Sequence, residues 1–581
     1  MSIEQTLRTR LSPKLRLLYG KRAESCLEAV LQRVEAARPN MPPPREPLWD
    51  ERDVVLITYG DQVRGEGESP LASLGRALAE MELDRVISTV HLLPFFPYSS
   101  DDGFSVIDFR RVDPALGDWD DVHNLGKRYS LMFDLVLNHV SREGRWFDDY
   151  RAGREPWKRF FIEVDPAADT SNVTRPRSLP LLTPVETSRG RRHVWTTFSD
   201  DQIDLNYAEP AVLIEMIDIL FLYLSQGARI VRLDAIAYLW KRLGTPCIHL
   251  PETHAVVKIL RDVVELVAPG AILLTETNVP HEENVSYFGD GDEARMVYQF
   301  SLAPLLLDAI LTGDARLLAD WLAASEPTPP GTTTLNFTAS HDGIGVRPLE
   351  GLMPSDRFER LLAAVERRGG RVSTKRNPNG DDSPYELNLT YFSAMDEPDA
   401  ANDAKRESIQ IGRFLAGQAI MLSLRGIPAV YFHSLVATPN DEAGVARTGR
   451  ARSINRRKYQ ADELRDILSR ADAPPARVLT AYRHMLAVRR GQPAFHPEAD
   501  QRLLPTDSPT TMALLRTSLD GRQRILVAAN LGGSSETIDV QRRFSLQPIR
   551  DLLSDDPRSP TAGPIRLEPH RVAWFEVENP I

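Results

Sequence analysis

Three carboxylates in this chain stand where apolar runs end. Asp234 closes "RIVRLD" (229–234), Glu276 closes "AILLTE" (271–276), and Asp342 follows the run in "TTLNFTASHD" (333–342). One carboxylate nucleophile and one carboxylic acid, about 5–5.5 Å apart, break a glycosidic bond with retention of configuration. Asp234 reads as the nucleophile and Glu276 as the proton donor. Asp342 reads as the group that holds sugar hydroxyls and stabilises the positive transition state. Arg232 lies two residues before Asp234, so on a strand both point to one face. Its charge is expected to keep Asp234 ionised, while Glu276, with no such partner in view, keeps its proton. His139, in "LNH", and His341, in "SHD", are placed to donate to hydroxyls of the same ring. Asp61 and Arg452 follow two further apolar runs. Taken singly, each residue reads as a cap, a turn former or a salt-bridge partner. Their joint position at the ends of successive runs is what selects chemistry.

The elements that carry them alternate. Strand-like runs fall at 54–58, 86–92, 131–137, 229–234, 271–276, 296–300, 333–339 and 428–433. Helical patterns fall at 71–83, 119–129, 210–226, 254–267, 303–311, 357–367, 405–424 and about 475–490. This alternation predicts a (β/α)8 TIM barrel over 51–495, an α/β fold whose strand ends converge on one catalytic mouth. Arg232 and Asp234 then face that mouth rather than the core. Two connections are too long for simple turns. Residues 140–205 read as an inserted domain B after the third strand, and 348–405 as a second insertion after the seventh. From 496 to 581 strand-like runs follow one another with no helix between, which predicts an all-β domain. Residues 4–38 read as one helix, followed by prolines at 39, 42, 43, 44 and 47 that make a stiff linker. This 1–50 extension is open to three roles: covering an apolar barrel face, bracing the C-terminal domain, or building a homodimer.

Bulk properties narrow the class. The 581 residues carry a net charge of −11, which argues against a nucleic-acid partner. The two cysteines, Cys26 and Cys247, make no disulfide framework and no CxxC, which fits a reducing cytoplasm. The longest apolar stretch, 211–224, is broken by Glu215 and Asp218, so no membrane span is expected. No cofactor motif is present. A calcium site needs roughly six to eight oxygens, and Asn138 alone does not supply them, so no metal is expected.

In order, "DLVLNH", "VRLDAIAY", "LLTETN" and "TASHDGIGV" resemble the four signature regions of the α-amylase superfamily, glycoside hydrolase family 13. "QIDLN" (202–206) resembles the motif that closes domain B. The resemblance covers roughly 51–581 and implies Asp234 as nucleophile, Glu276 as acid/base and Asp342 as transition-state stabiliser. "LITYGD", "HLLPFFPYSSDDGFSVIDF", "WTTFSDDQIDLN" and "RSINR" are similar to the sucrose phosphorylase subgroup. That likeness implies that Asp61 and Arg452 grip the far side of the glucose, and that Phe198 lines the site near the reacting carbon. It also implies phosphorolysis: phosphate, not water, takes the glucosyl unit from Asp234 and gives α-glucose 1-phosphate.

Phosphate must be held by cations in a site that excludes water. Lys375 and Arg376, in the loop "RVSTKRNPNGDDSPYELNLTY" (371–391), are the expected phosphate and acceptor groups. In this loop the chain departs from sucrose phosphorylases. Their Tyr-Gln pair is replaced by Tyr385-Glu386, the loop is longer, and the N-terminal extension is added. These features look more like the glucosylglycerate phosphorylases of the subgroup, with D-glycerate as the favoured acceptor. Glucosylglycerol and sucrose phosphorylases stand behind it, then a hydrolase or transglucosidase with the same three acids.

Overall fold

The computed structural model describes residues 2–377, 380–554 and 563–578. Eight parallel strands close into a barrel: β1 (Val55–Thr58), β2 (Thr89–Leu92), β3 (Ser130–Val136), β4 (Ala228–Asp234), β5 (Ile272–Thr275), β6 (Met296–Tyr298), β7 (Thr333–Phe337) and β8 (Ile427–Tyr431). Each is paired with its sequence neighbours and β1 with β8. Nearly every strand residue is buried, as expected where helices cover the outside and side chains fill the inside. Each strand lies within three residues of its sequence-based boundaries.

The two long connections fold on themselves. Residues 139–205 hold a helix (Arg145–Arg151), a hairpin (Leu182–Thr187 with Gly190–Trp195) and a closing pair, His139–Ser141 against Gln202–Asp204. After β7, Ile344–Gly345 and the hairpin Arg371–Arg376/Asp382–Asn388 form a three-stranded sheet, with the helix Ser355–Glu366 preceding the hairpin. Asn377 and Gly380 flank its tip; Pro378 and Asn379 of the 371–391 segment lie outside the described residues.

The N-terminal segment forms two helices rather than one: α1 (Ile3–Tyr19) and α2 (Ala23–Ala37). Gly20 ends α1 at φ +54°, a left-handed value that costs glycine little. Leu7, Leu11, Leu15 and Leu18, four or three apart, form the buried stripe of α1. Each buried leucine contributes about 1.5–3 kcal/mol of hydrophobic stabilisation. α2 packs on α3 (Pro210–Ser225) and α1 on α4 (Pro251–Val267). Lys14–Asp262 (2.7 Å), Arg10–Glu265 (3.1 Å), Arg22–Glu209 (3.2 Å) and Arg33–Asp218 (2.9 Å) line the seam. The extension thus covers an apolar barrel face, the first of its three open roles. It also explains why α3 is apolar nearly all round.

Beyond 500, a five-stranded antiparallel sheet and a two-stranded one dominate. Strand Thr511–Thr517 alternates: Met512 and Leu514 join the barrel core, Ala513 and Leu515 a separate one. One short helix, Val540–Phe544, interrupts the expected run of strands; Asp539 caps it by accepting from the Arg542 N–H at 3.0 Å.

Candidate active site

Three neighbouring strands build the floor of the mouth. Parallel register puts Asp134 of β3 beside Arg232 of β4, and Arg232 beside Leu274 of β5. Arg232 Nη1 donates to Asp234 Oδ1 at 2.7 Å and also to Asp134. His91 Nε2, from β2, meets the other Asp134 oxygen at 2.6 Å. The guanidinium also lies over the rings of Phe104 and Tyr298, at 5.5 and 5.7 Å. Ala235 follows Asp234 in the left-handed region, at φ +51°. A non-glycine residue there stores strain of about 1–3 kcal/mol. The turn aims its N–H at Glu276 Oε2, 3.1 Å away.

Burial pushes both facing carboxyls up: Asp234 well above the usual carboxylate range, Glu276 above it. In each case Arg232 pulls the other way. Against the pull of Arg232, burial and then the neighbouring Glu276, Asp134 and Asp342 carboxyls raise Asp234. Two buried like charges cannot both form cheaply, so the pair keeps a proton between them, and the titration belongs to the pair. Arg232 is bonded to Asp234 and not to Glu276, which favours Glu276 as the seat of that proton.

Asp342 is in the opposite state. Burial works against its charge, but the Arg452 and Arg456 guanidiniums hold it far below the usual range. Arg452 Nη1 lies 2.7 Å from Asp342 Oδ1. Its Nε donates to Glu386 Oε2 at 3.0 Å, and its Nη2 to the other Glu386 oxygen. Arg452 therefore spends its fork on two carboxylates. The "RSINR" segment also fixes the backbone that carries Asp342. Asn455 Nδ2 donates to Ser340 O (3.1 Å) and Asp342 O (2.9 Å), and Arg456 Nε to His341 O (2.8 Å). His341 stacks on Phe104, ring centres 4.8 Å apart, and burial keeps its imidazole neutral. Its Nδ1 is buried with no partner among the described residues and is open to a hydroxyl.

Domain B is fastened by one buried cation. Lys241 Nζ lies 2.6 Å from Asn138 Oδ1 and 2.6 Å from Asp204 Oδ2. Asn138 and Asp204 are thus tied to each other and to the segment after β4. This places Phe198 at 5.5 Å from Tyr238 and 5.2 Å from His139. His139 is held by the Phe104 carbonyl (3.0 Å) and Asn138 (3.3 Å), so it presents its ring rather than a free nitrogen. Among the described residues, no group of three or more acids, histidines or cysteines has the arrangement of a metal centre.

Asp234, Glu276, Asp342, Arg232, His139, His341, Phe198, Tyr385, Glu386 and Arg452 all line one narrow inner pocket of about 70 Å³. It opens into a vestibule of about 540 Å³ that shares Asp101, Arg177, Phe198, Gln202, Glu386 and Arg452. Asp61 lines neither; Lys458 (2.6 Å) and Arg64 (2.8 Å) hold it. Lys375 and Arg376 line neither as well. Lys375 Nζ pairs with Glu350 at 3.0 Å, and Arg376 with Asp382 at 3.0 Å and the Gly380 carbonyl at 2.6 Å. Arg376 is turned to partners within the hairpin, and Lys375 to Glu350 outside it.

Residues 84–320 match the family model of the α-amylase catalytic domain. The chain is 45% identical to a glucosylglycerate phosphorylase of Spirochaeta thermophila over 571 residues, 97% of this chain and 96% of that one. It is 48% identical to a glucosylglycerate phosphorylase of Allomeiothermus silvanus over 507 residues, 87% and 90% of the two chains. The chain belongs to the glucosylglycerate phosphorylase family of the α-amylase superfamily. In structure it resembles sucrose 6F-phosphate phosphorylase from Thermoanaerobacter thermosaccharolyticum, with TM-score 0.71 and 25% identity over 85% of this chain and 95% of that one. It is an enzyme of the phosphorylase class, a glycosyltransferase on a glycoside hydrolase family 13 barrel.

For a member of this phosphorylase family, several site residues escaped the sequence reading. Asp101 lines the pocket where Asp61 was expected; "DDG" holds Asp101, Asp102 and Gly103 at φ +53°, +50° and +112°, a strained turn invisible to periodicity. Asp102 meets Arg456 at 2.5 Å. Asp134 and His91 interrupt apolar strands, and that interruption was the signal. Arg177 came with no signal beyond its charge. It lies over the Tyr385 ring at 5.2 Å, and among the described residues no carboxylate pairs with it.

Proposed function

We propose that this enzyme is a retaining phosphorylase that moves a glucosyl unit between D-glycerate and phosphate through Asp234. The observation that carries the reading is the asymmetric pair at the ends of β4 and β5. Asp234 has a guanidinium at 2.7 Å, while Glu276 has only a backbone N–H at 3.1 Å. Glu276 protonates the glycosidic oxygen as Asp234 attacks the anomeric carbon, and D-glycerate leaves. Phosphate then attacks the glucosyl-Asp234 ester, Glu276 takes back a proton from it, and α-D-glucose 1-phosphate departs. Two inversions return the original configuration. Asp342, kept ionised by Arg452, faces the positive charge that develops at the ring. The narrow pocket keeps bulk water from the ester.

Both the acceptor and the phosphate are anions arriving through the vestibule. Arg177 lines vestibule and pocket alike with its charge unspent, and it is the group we assign to them. The names of the relatives favour glycerate over glycerol or fructose. No helix among the described residues is long and apolar enough to cross a membrane. A cytoplasmic setting, drawn from two unpaired cysteines, is part of the same proposal.

The test supplies glucose 1-phosphate with D-glycerate, glycerol or fructose in separate assays and follows phosphate release. Fastest release with D-glycerate is expected. Release led by glycerol or fructose overturns the acceptor and keeps the mechanism. Hydrolysis of an α-glucoside at a rate indifferent to phosphate overturns the phosphorylase reading.

A further inference from the structure

The underside of the barrel holds a second cavity, of about 690 Å³. It sits at the first residues of β3 and β4 (Ser130, Ala228) and just before β5 (Ala271), the ends opposite the carboxylates. Prolines 42–44 of the linker and Tyr129 form apolar walls. Arg45, His123, Lys127 and Arg229 line it, and among the described residues no aspartate or glutamate does, in a chain whose net charge is −11.

The four bases are not equivalent. Arg229 is spent on Asp53 at 2.7 Å and on the Leu48 carbonyl. His123 is bonded to Gln226 Oε1 at 2.7 Å. Lys127 touches only the neutral Asn124 Oδ1, at 2.7 Å, and Arg45 only Ser130 Oγ, at 3.1 Å. Among the described residues neither has a carboxylate within ion-pair distance. The wall that carries Arg45 is docked: its N–H donates to the Pro269 carbonyl at 3.1 Å. Gly270, at φ +104°, permits this approach, since a Cβ there would lie 2.7 Å from the Arg45 nitrogen.

We propose that this cavity is a second ligand site, for a small oxyanion carried on a flat apolar body, with Arg45 and Lys127 as its charge partners. The apolar walls take the body; the two unspent cations take the phosphate or carboxylate. Arg45 and Lys127 are both exposed, so an anion reaches them directly from solvent. The 97% coverage shared with the Spirochaeta relative has to include most of the extension that forms this wall.

Calorimetric titration of the full chain tests it with three probes of one shape: 1-naphthyl phosphate, 1-naphthoate and neutral 1-naphthol. At least one anion is expected to bind at a single site, at least tenfold tighter than naphthol; the tighter anion identifies the oxyanion. Arg45→Gln and the exposed Lys127→Glu should each weaken it at least tenfold, the second covering the case that the first does not fold. Arg177→Gln, at the catalytic mouth, should leave it unchanged. Equal binding of naphthol, absence of anion binding, or loss through Arg177→Gln instead overturns the proposal. None of these outcomes depends on which acceptor the active site uses.

Discussion

The floor of the catalytic pocket and its mouth use charge in opposite ways. On the floor, the polar groups answer one another: His91, Asp134, Arg232 and Asp234 form one chain, and Asp342, Arg452 and Glu386 another. At the mouth, Arg177 lines the vestibule, and among the described residues no carboxylate pairs with it. Charges spent on each other fix geometry and proton affinity. Charges left unspent remain available for a ligand that brings its own. The floor thus sets what reaction occurs, and the mouth sets which anion takes part.

Breaking the floor should cost most. Asp234→Asn removes the nucleophile but leaves Arg232 paired with Asp134, so the fold should stand. Turnover is expected to fall on the order of 10⁴-fold or more, with an unchanged circular dichroism spectrum. A variant that keeps a tenth of wild-type activity removes Asp234 from the role of nucleophile. Glu276→Gln comes next, with a kcat loss of about 10²–10⁴-fold for a lost general acid. Its pH profile is the sharper readout. Because the pair's proton affinity is raised in the folded enzyme, the acid form persists above the usual carboxylate range. It is lost as pH rises through the pair's upper step. The wild type should therefore show an alkaline limb in kcat/KM that the Gln variant lacks. Persistence of that limb assigns the proton elsewhere.

The same floor-to-mouth contrast explains what was legible in the sequence. Floor residues sit at the ends of strands, and strand ends are marked by where apolar runs stop; Asp234, Glu276 and Asp342 were read that way. The strands themselves were read to within three residues, because a parallel barrel buries both faces and leaves continuous apolar runs. Mouth residues come from loops, whose partners are set by three-dimensional packing. Lys375 and Arg376 looked free in sequence, yet the hairpin register brings Asp382 opposite Arg376, and Glu350 reaches Lys375 from outside the hairpin. Asp61 and Asp101 both follow apolar runs; Lys458 and Arg64 hold Asp61, while the left-handed "DDG" turn carries Asp101 at the pocket.

Arg452 lies on the boundary between the two regions, and its loss should be intermediate. Arg452→Ala leaves Asp342 and Glu386 facing each other without their shared cation. The Asp342 carboxyl, now held low chiefly by Arg452, should rise toward the ordinary range. The lost electrostatic support at Asp342 should cost about 10²-fold in kcat/KM at neutral pH, and Arg452→Lys, which keeps a cation there, should recover part of it. A Lys variant no better than the Ala variant means that Arg452 does not act through its charge on Asp342.

Arg177→Gln should raise KM for phosphate about tenfold, with kcat within about threefold, since removing one charge-assisted hydrogen bond costs roughly 1.5 kcal/mol of binding. The double variant Lys375→Ala/Arg376→Ala makes the smallest change expected here, less than about twofold in either constant. Two charges are deleted instead of one, so a simple electrostatic field at the mouth ranks the double variant above Arg177→Gln. Geometry ranks it below, because Lys375 and Arg376 already answer Glu350 and Asp382. The order of the two KM values therefore decides whether the mouth works by contact or by field. A larger effect from the double variant returns the 371–391 hairpin to the phosphate site and displaces Arg177 from it.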